Sequence, residues 1–168
     1  ENYVEQGGHF ARFGGNFCWQ IRFENTGKTQ VCYKEDAIEK DPVIGTQEEY
    51  LTTSVWEHPV VNWPGAKTVG LNALYGIYAN VGHIAPRQGG GFTVYRPEHW
   101  ALKGTDLCYG DQFGNEANIF GYEVDGLDYV IQHGLPEPTY RDGAIAGTEI
   151  VAMGLAGNYE ADHGHKGA

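Results

Sequence analysis

The chain has 168 residues, a net charge of −11 and 41% apolar side chains, which describes one globular domain rather than a disordered segment. Lys and Arg are few and scattered, so nucleic acid is excluded as a partner, because phosphate contacts need clustered cations. No stretch reaches the ~18 consecutive apolar residues of a membrane span, and no basic segment leads into an apolar core at the start, so neither a span nor a signal peptide is read.

Glu1-Asn2-Tyr3-Val4-Glu5-Gln6-Gly7-Gly8 reads as the last turn of a helix with its glycine stop. Residues 9–13 alternate and are expected to be a strand, ending at Gly14-Gly15-Asn16, where the backbone needs positive φ or a close approach. Alternation returns over 17–23. Asn25-Thr26-Gly27-Lys28 is a turn and 29–34 a second strand, together a hairpin. Residues 35–41 are charged and short-helical or looped, and Pro42 forces the residue before it to be extended. Thr46 and Glu49 have the spacing of a capping box, which predicts a helix of about two or three turns running to Val55-Trp56. Residues 67–83 fit both a strand and a helical face, with Gly70 and Gly76 weakening the helix. A glycine-rich loop at 82–91 leads to a strand at 92–95. Further strands are expected at 118–130 and 149–155.

The ends suggest a piece of a longer protein: a helix that begins before residue 1, and a last stretch, 157–168, that is expected to be a mobile tail. A fragment of this kind would leave sheet edges unpaired, so a homo-oligomer is expected. The alternating segments predict a core containing Phe10, Phe13, Phe17, Ile21, Val94, Ile119, Tyr122, Val124, Ile150 and Val151. Three cysteines, Cys18, Cys32 and Cys108, show no CxxC spacing and read as reduced, buried thiols of a cytoplasmic protein; a Cys18–Cys32 bridge is the less favoured alternative.

The stretch richest in chemistry is Gly121-Tyr122-Glu123-Val124-Asp125-Gly126-Leu127-Asp128. On a regular strand Glu123 and Asp125 share a face, and two buried like charges need hydrogen bonds, a cation or a shared proton. The alternative is a strand that ends at Gly126, leaving Asp125 to cap a turn and only Glu123 buried. A cysteine or serine nucleophile is not supported. Cys18 lacks the flanking glycines of a strand-to-helix elbow, as does Ser54, the single serine. The Arg87-Gln88-Gly89-Gly90-Gly91 loop precedes a strand, without the helix start and lysine of a phosphate cradle. His163 and His165 beside Asp162 make at most an incomplete metal site. His99, placed by Pro97, is a candidate proton handler set against a structural histidine. Trp56, Trp63 and Trp100 give weak support to carbohydrate binding, since large aromatics are more often core.

Two runs, Arg96-Pro97-Glu98-His99-Trp100 and Gly121-Tyr122-Glu123-Val124-Asp125-Gly126, resemble the C-terminal region of the large (β) subunit of N,N-dimethylformamidase and its relatives. The same order continues in Gly134-Leu135-Pro136-Glu137-Pro138-Thr139, and Gly7-Gly8-His9-Phe10 through Gly14-Gly15-Asn16 resembles that region's glycine-rich strand end. The resemblance implies a mixed, β-rich α/β domain of the glutamine-amidotransferase-like, flavodoxin-like three-layer kind, here a single partial domain over 1–168 without its cysteine elbow. It further implies hydrolysis of small tertiary amides with a non-haem iron held by tyrosine and glutamate. Carried onto this chain, Glu123 is the metal-ligand candidate and Tyr33 its guessed tyrosine partner, with His99 or Asp125 handling the proton. One argued ligand falls short of an iron site, so the isolated chain is expected to lack stoichiometric iron and amidase activity. The alternative is a non-catalytic scaffold or subunit-interface module.

Overall fold

A computed structural model of the chain describes residues 2–15, 19–78, 91–117, 119 and 123–154, with the backbone alone described at 77, 78 and 123. The strands are short, and their pairings among the described residues are all antiparallel. The make-up is β-rich with a few single-turn helices.

Helix α1 (Asn2–Glu5) ends as the glycines require: Gly7 sits at φ +88°, its N–H reaches Val4 O, and the Gly8 N–H reaches Tyr3 O. The next segment departs from expectation. Residues 9–13 form no strand, and Phe13 stands 98% exposed, so this alternation does not mark a buried face. Phe10, Ile21 and Ile119 are exposed as well, while Val94 is fully buried and Val124, Ile150 and Val151 are half-buried. Phe17 and Tyr122 lie outside the described residues.

Strands β1 (Arg22–Glu24) and β2 (Thr29–Val31) form the expected hairpin, with Phe23 opposite Gln30. Asn25, Thr26 and Gly27 all take positive φ in its turn, which lets four residues reverse the chain. A 3₁₀ turn, Lys34–Asp36, runs into α2 (Ala37–Lys40), and Asp41 is extended before Pro42.

The capping-box helix does not form. Thr46 Oγ1 accepts the Glu48 N–H and Glu49 reaches back to the Gly45 N–H, but only a 3₁₀ turn, Glu49–Leu51, follows. The chain then extends because Asp41 competes for it. The buried Asp41 carboxylate accepts both the N–H and the hydroxyl of Thr53, at 2.9 and 2.8 Å, and is held from the other side by Arg22 at 3.0 Å. Thr52, Thr53 and Ser54 are buried as a result.

The ambiguous stretch resolves into both alternatives in turn. Helix α3 (Ala66–Val69) stops at Gly70, φ +87°, and strand β3 (Asn72–Tyr78) follows. β3 pairs with β6 (Glu123–Gly126), with an irregularity between Asn72 and Ile77. β4 (Phe92–Val94) is the centre of a three-stranded sheet between β5 (Gln112–Phe113) and β9 (Ala152–Met153). β7 (Tyr129–Gln132) and β8 (Leu135–Pro138) form a second hairpin, turned through His133 and Gly134, both at positive φ. The expected single strand over 118–130 is thus split, because Leu127 and Asp128 leave β6 for this hairpin.

Polar residues hold much of the described interior. Asn72 is fully buried; its Oδ1 accepts the Ala66 N–H and its Nδ2 donates to Asp142, tying α3 and β3 to the loop after β8. Burial of an amide is tolerable when each group is bonded, as here. Cys32 and Cys108 are free and exposed, correcting their reading as buried thiols; Cys18 lies outside the described residues. Among the described residues no helix is long and apolar enough to cross a membrane.

Candidate functional site

β6 carries the site. The strand does end at Gly126, yet Asp125 does not cap a turn: it is 2% exposed and forms an ion pair with Arg12. Arg12 comes from the irregular segment after α1, itself mostly buried at its side chain. A buried carboxylate is costly without such a partner. The backbone of β6 lies close against β3 at Gly76, where an added Cβ would meet Val124 O and stand 2.8 Å from the Asp125 Cα. Only glycine allows this approach.

Behind β3 sits a second carboxylate, Glu57. Its Oε1 accepts the Ala73 N–H at 2.9 Å, while its buried Oε2 has no hydrogen-bond partner among the described residues. Burial pushes this carboxyl up from its ordinary value, backbone hydrogen bonds from Ala73 and Gly65 oppose the shift, and the charge of Asp125 adds to it. Glu57 was not legible as a site residue in the sequence; an acid between Trp56 and His58 next to an apolar run was the available signal.

An apolar cavity of about 400 Å³ opens along β6. Leu71, Phe92, Val124, Leu127, Ile150 and Met153 contribute its walls, and Asp125 and Glu149 are the carboxylates among its lining residues. A second cavity, of about 330 Å³, is lined by Tyr95, Arg96, Glu98, His99 and Leu135 and shares Glu149 with the first. His99 therefore belongs to a different cavity from Asp125. It also caps the 3₁₀ turn Trp100–Leu102, its Nδ1 accepting the Ala101 N–H at 3.2 Å, which in the neutral ring leaves Nε2 to carry the proton. Trp100 beside it is 79% exposed.

Of the expected iron ligands, Tyr33 and Glu123 stand on different elements, and the Glu123 side chain lies outside the described ones. Tyr33 stands after β2, and its N–H donates to Thr53 Oγ1. Glu123 is in β6 with Tyr78 as its register partner in β3, a placement that spacing alone did not suggest. Among the described residues no three His, Cys, Asp or Glu side chains are grouped to hold a metal ion. Asp162, His163 and His165 lie outside the described residues.

With this geometry in place, comparison with known proteins gives one match. The family model described as N,N-dimethylformamidase beta subunit-like, C-terminal, covers residues 1–164. No curated protein and no solved structure matches the chain.

Proposed function

The chain belongs to the N,N-dimethylformamidase beta subunit-like C-terminal family, and from that premise we propose that it is a domain of a hydrolase of small amides. The observation that carries the reading is the placement of Asp125, a buried carboxylate fixed by Arg12, on the wall of an otherwise apolar cavity. A tertiary amide has this character: alkyl groups that pack on Val124, Leu127 and Met153, and one carbonyl that reacts.

Asp125 is the proton handler in this proposal. It takes a proton from the attacking water as the carbon–oxygen bond forms. It returns that proton to the amide nitrogen as the carbon–nitrogen bond breaks. Arg12 is a positioning residue, holding the carboxylate in place. Glu123, with Tyr33 as its guessed partner, is proposed as a ligand to iron, which would polarise the amide carbonyl; no step is drawn through that metal. The glutamine-amidotransferase-like, three-layer architecture is proposed for the family domain as a whole on the resemblance alone. A cytoplasmic location is proposed on the free Cys32 and Cys108.

A second reading, a non-catalytic scaffold or subunit-interface module, is favoured by the missing elbow glycines around Cys18. Formate release from N,N-dimethylformamide decides between them, measured on the protein made from its whole reading frame with iron supplied. The hydrolase reading expects turnover that falls at least ~100-fold in Asp125→Asn. No turnover of any small formamide would leave the scaffold.

A further inference from the structure

The cavity along β6 is larger than the smallest amides need. Its volume is about 400 Å³. An apolar cavity of roughly 150 Å³ already holds benzene, and pockets for drug-sized ligands begin near roughly 300 Å³. N,N-dimethylformamide is smaller than benzene, so it would touch only part of the walls and forgo the dispersion contacts of the rest. The walls also say what the remainder of a ligand must be. Phe92 offers an aromatic wall, backed by Phe113 with ring centroids 5.8 Å apart and planes inclined by 29°. Val124, Leu127 and Ile150 are aliphatic, and Met153 adds an adaptable thioether. Among the polar lining side chains, Thr148 spends its hydroxyl on Ile145 O, and the buried Asp125 has its charge offset by Arg12. Glu149, the remaining carboxylate, is exposed. A charged ligand would trade its hydration for mostly apolar walls.

We propose that this cavity takes amides whose nitrogen carries an aromatic ring, the anilide class, in preference to the smallest dialkylamides. This deepens the amide-hydrolase reading and rests on it. The volume asks for a ring-sized apolar group, and the chemistry of the leaving group says which side of the amide bears it. Hydrolysis adds water across the carbon–nitrogen bond: the carbonyl carbon gains the oxygen, and the nitrogen gains a proton as the bond breaks. An alkylamine so released is a strong base. It takes up a second proton in water near neutral pH and becomes a cation, which apolar walls disfavour. An aromatic amine shares its nitrogen lone pair with the ring and is too weak a base to do so. It stays neutral, so its ring keeps the contact with the wall while the acid product gives its proton to water.

The test has a binding arm and a turnover arm, both on the protein made from the whole reading frame. Calorimetric titration at neutral pH compares N-methylaniline, which is neutral, with N-methylcyclohexylamine, a cation of similar shape. Saturable binding is expected for N-methylaniline, about tenfold or more tighter than for the cyclohexyl cation. Leu71→Trp narrows the cavity at an exposed wall position and should weaken N-methylaniline binding about tenfold while the unfolding curve is retained. In the turnover arm, formate release with iron supplied compares N-methylformanilide with N,N-dimethylformamide. Each rate is divided by that of hydroxide hydrolysis of the same amide in water. The corrected kcat/KM is expected to favour the anilide about tenfold to a hundredfold, the gain for burying a ring-sized apolar group. Equal binding of the two amines, unchanged affinity in Leu71→Trp, or a preference for N,N-dimethylformamide would overturn the proposal. N-methylaniline binding with no turnover of either amide would uphold the cavity's selectivity and overturn the hydrolase reading. Turnover of N,N-dimethylformamide without N-methylaniline binding would do the reverse.

Discussion

At the scale of single residues, two buried carboxylates pull stability in opposite directions with pH. Burial works against the charge of Asp41, but hydrogen bonds from Arg22 and Thr53 more than offset it and bring the carboxyl from 3.8 to about 2. A lowered acid contributes stability that is present above its unfolded value and lost as pH falls through the folded one. Asp41→Asn should therefore cost about 2–4 kcal/mol at neutral pH, since it also leaves Arg22 without its buried partner. The gap to the parent should close as pH falls from 3.8 toward 2, read from urea unfolding at a series of pH values. Glu57 is the opposite case. Its carboxyl is raised above 4.5 by burial and by Asp125, so the folded state binds the proton more tightly than the unfolded chain. The parent protein should lose stability as pH rises from 4.5 toward the folded value, whereas Glu57→Gln, which keeps an acceptor for Ala73, should not show that loss. Identical pH profiles for the two proteins would mean that Glu57 is not desolvated as described.

At the scale of elements, close approach decides the pairing of β3 and β6. Gly76→Ala would drive its Cβ into the Val124 carbonyl, and since backbone rather than a side-chain tip is in the way, β6 must shift. A loss of about 3 kcal/mol or more is expected. Hydrogen exchange should show the lost protection concentrated in β3 and β6; uniform loss across the β4 sheet would contradict the placement. The same scale shows why some elements were legible in the sequence. The stop at Gly7 and the turn at 25–28 are local events, marked by the residues that permit positive φ, whereas 67–83 fitted both strand and helix and the change at Gly70 was not legible. The helix expected after Thr46 failed for a non-local reason: Asp41 takes the N–H and hydroxyl of Thr53, which a helix would have used otherwise. The alternation over 9–13 misled because a period of two marks burial only if the segment joins a sheet, and this one is held through Arg12 instead. The Arg12–Asp125 pair joins residues 113 apart, a separation at which pattern carries no information.

At the scale of the whole molecule, the described sheets are small and their edges many, and large apolar side chains such as Phe10, Phe13, Phe23 and Tyr50 stand exposed. Edges and faces of this kind pair with another chain. Self-association of the 168-residue chain is expected in sedimentation at roughly tens of micromolar, and a stable monomer there would contradict it. The family was legible from the Arg96–Trp100 and Gly121–Gly126 runs, and the match over residues 1–164 agrees with that reading. The site was legible only in part. Asp125 and Glu123 stood out as acids in an apolar run, but Arg12 reaches β6 and Glu57 reaches β3 only through the fold. The central claim, that Asp125 serves amide hydrolysis in a domain that does not complete its catalytic site alone, is tested most directly by one comparison. Formate release from N,N-dimethylformamide is measured with iron present for residues 1–168 and for the protein of the whole reading frame, each as parent and as Asp125→Asn. The account predicts no turnover by residues 1–168, turnover by the protein of the whole reading frame, and its loss in Asp125→Asn. Turnover by residues 1–168 with stoichiometric iron, or full activity in Asp125→Asn, would contradict it.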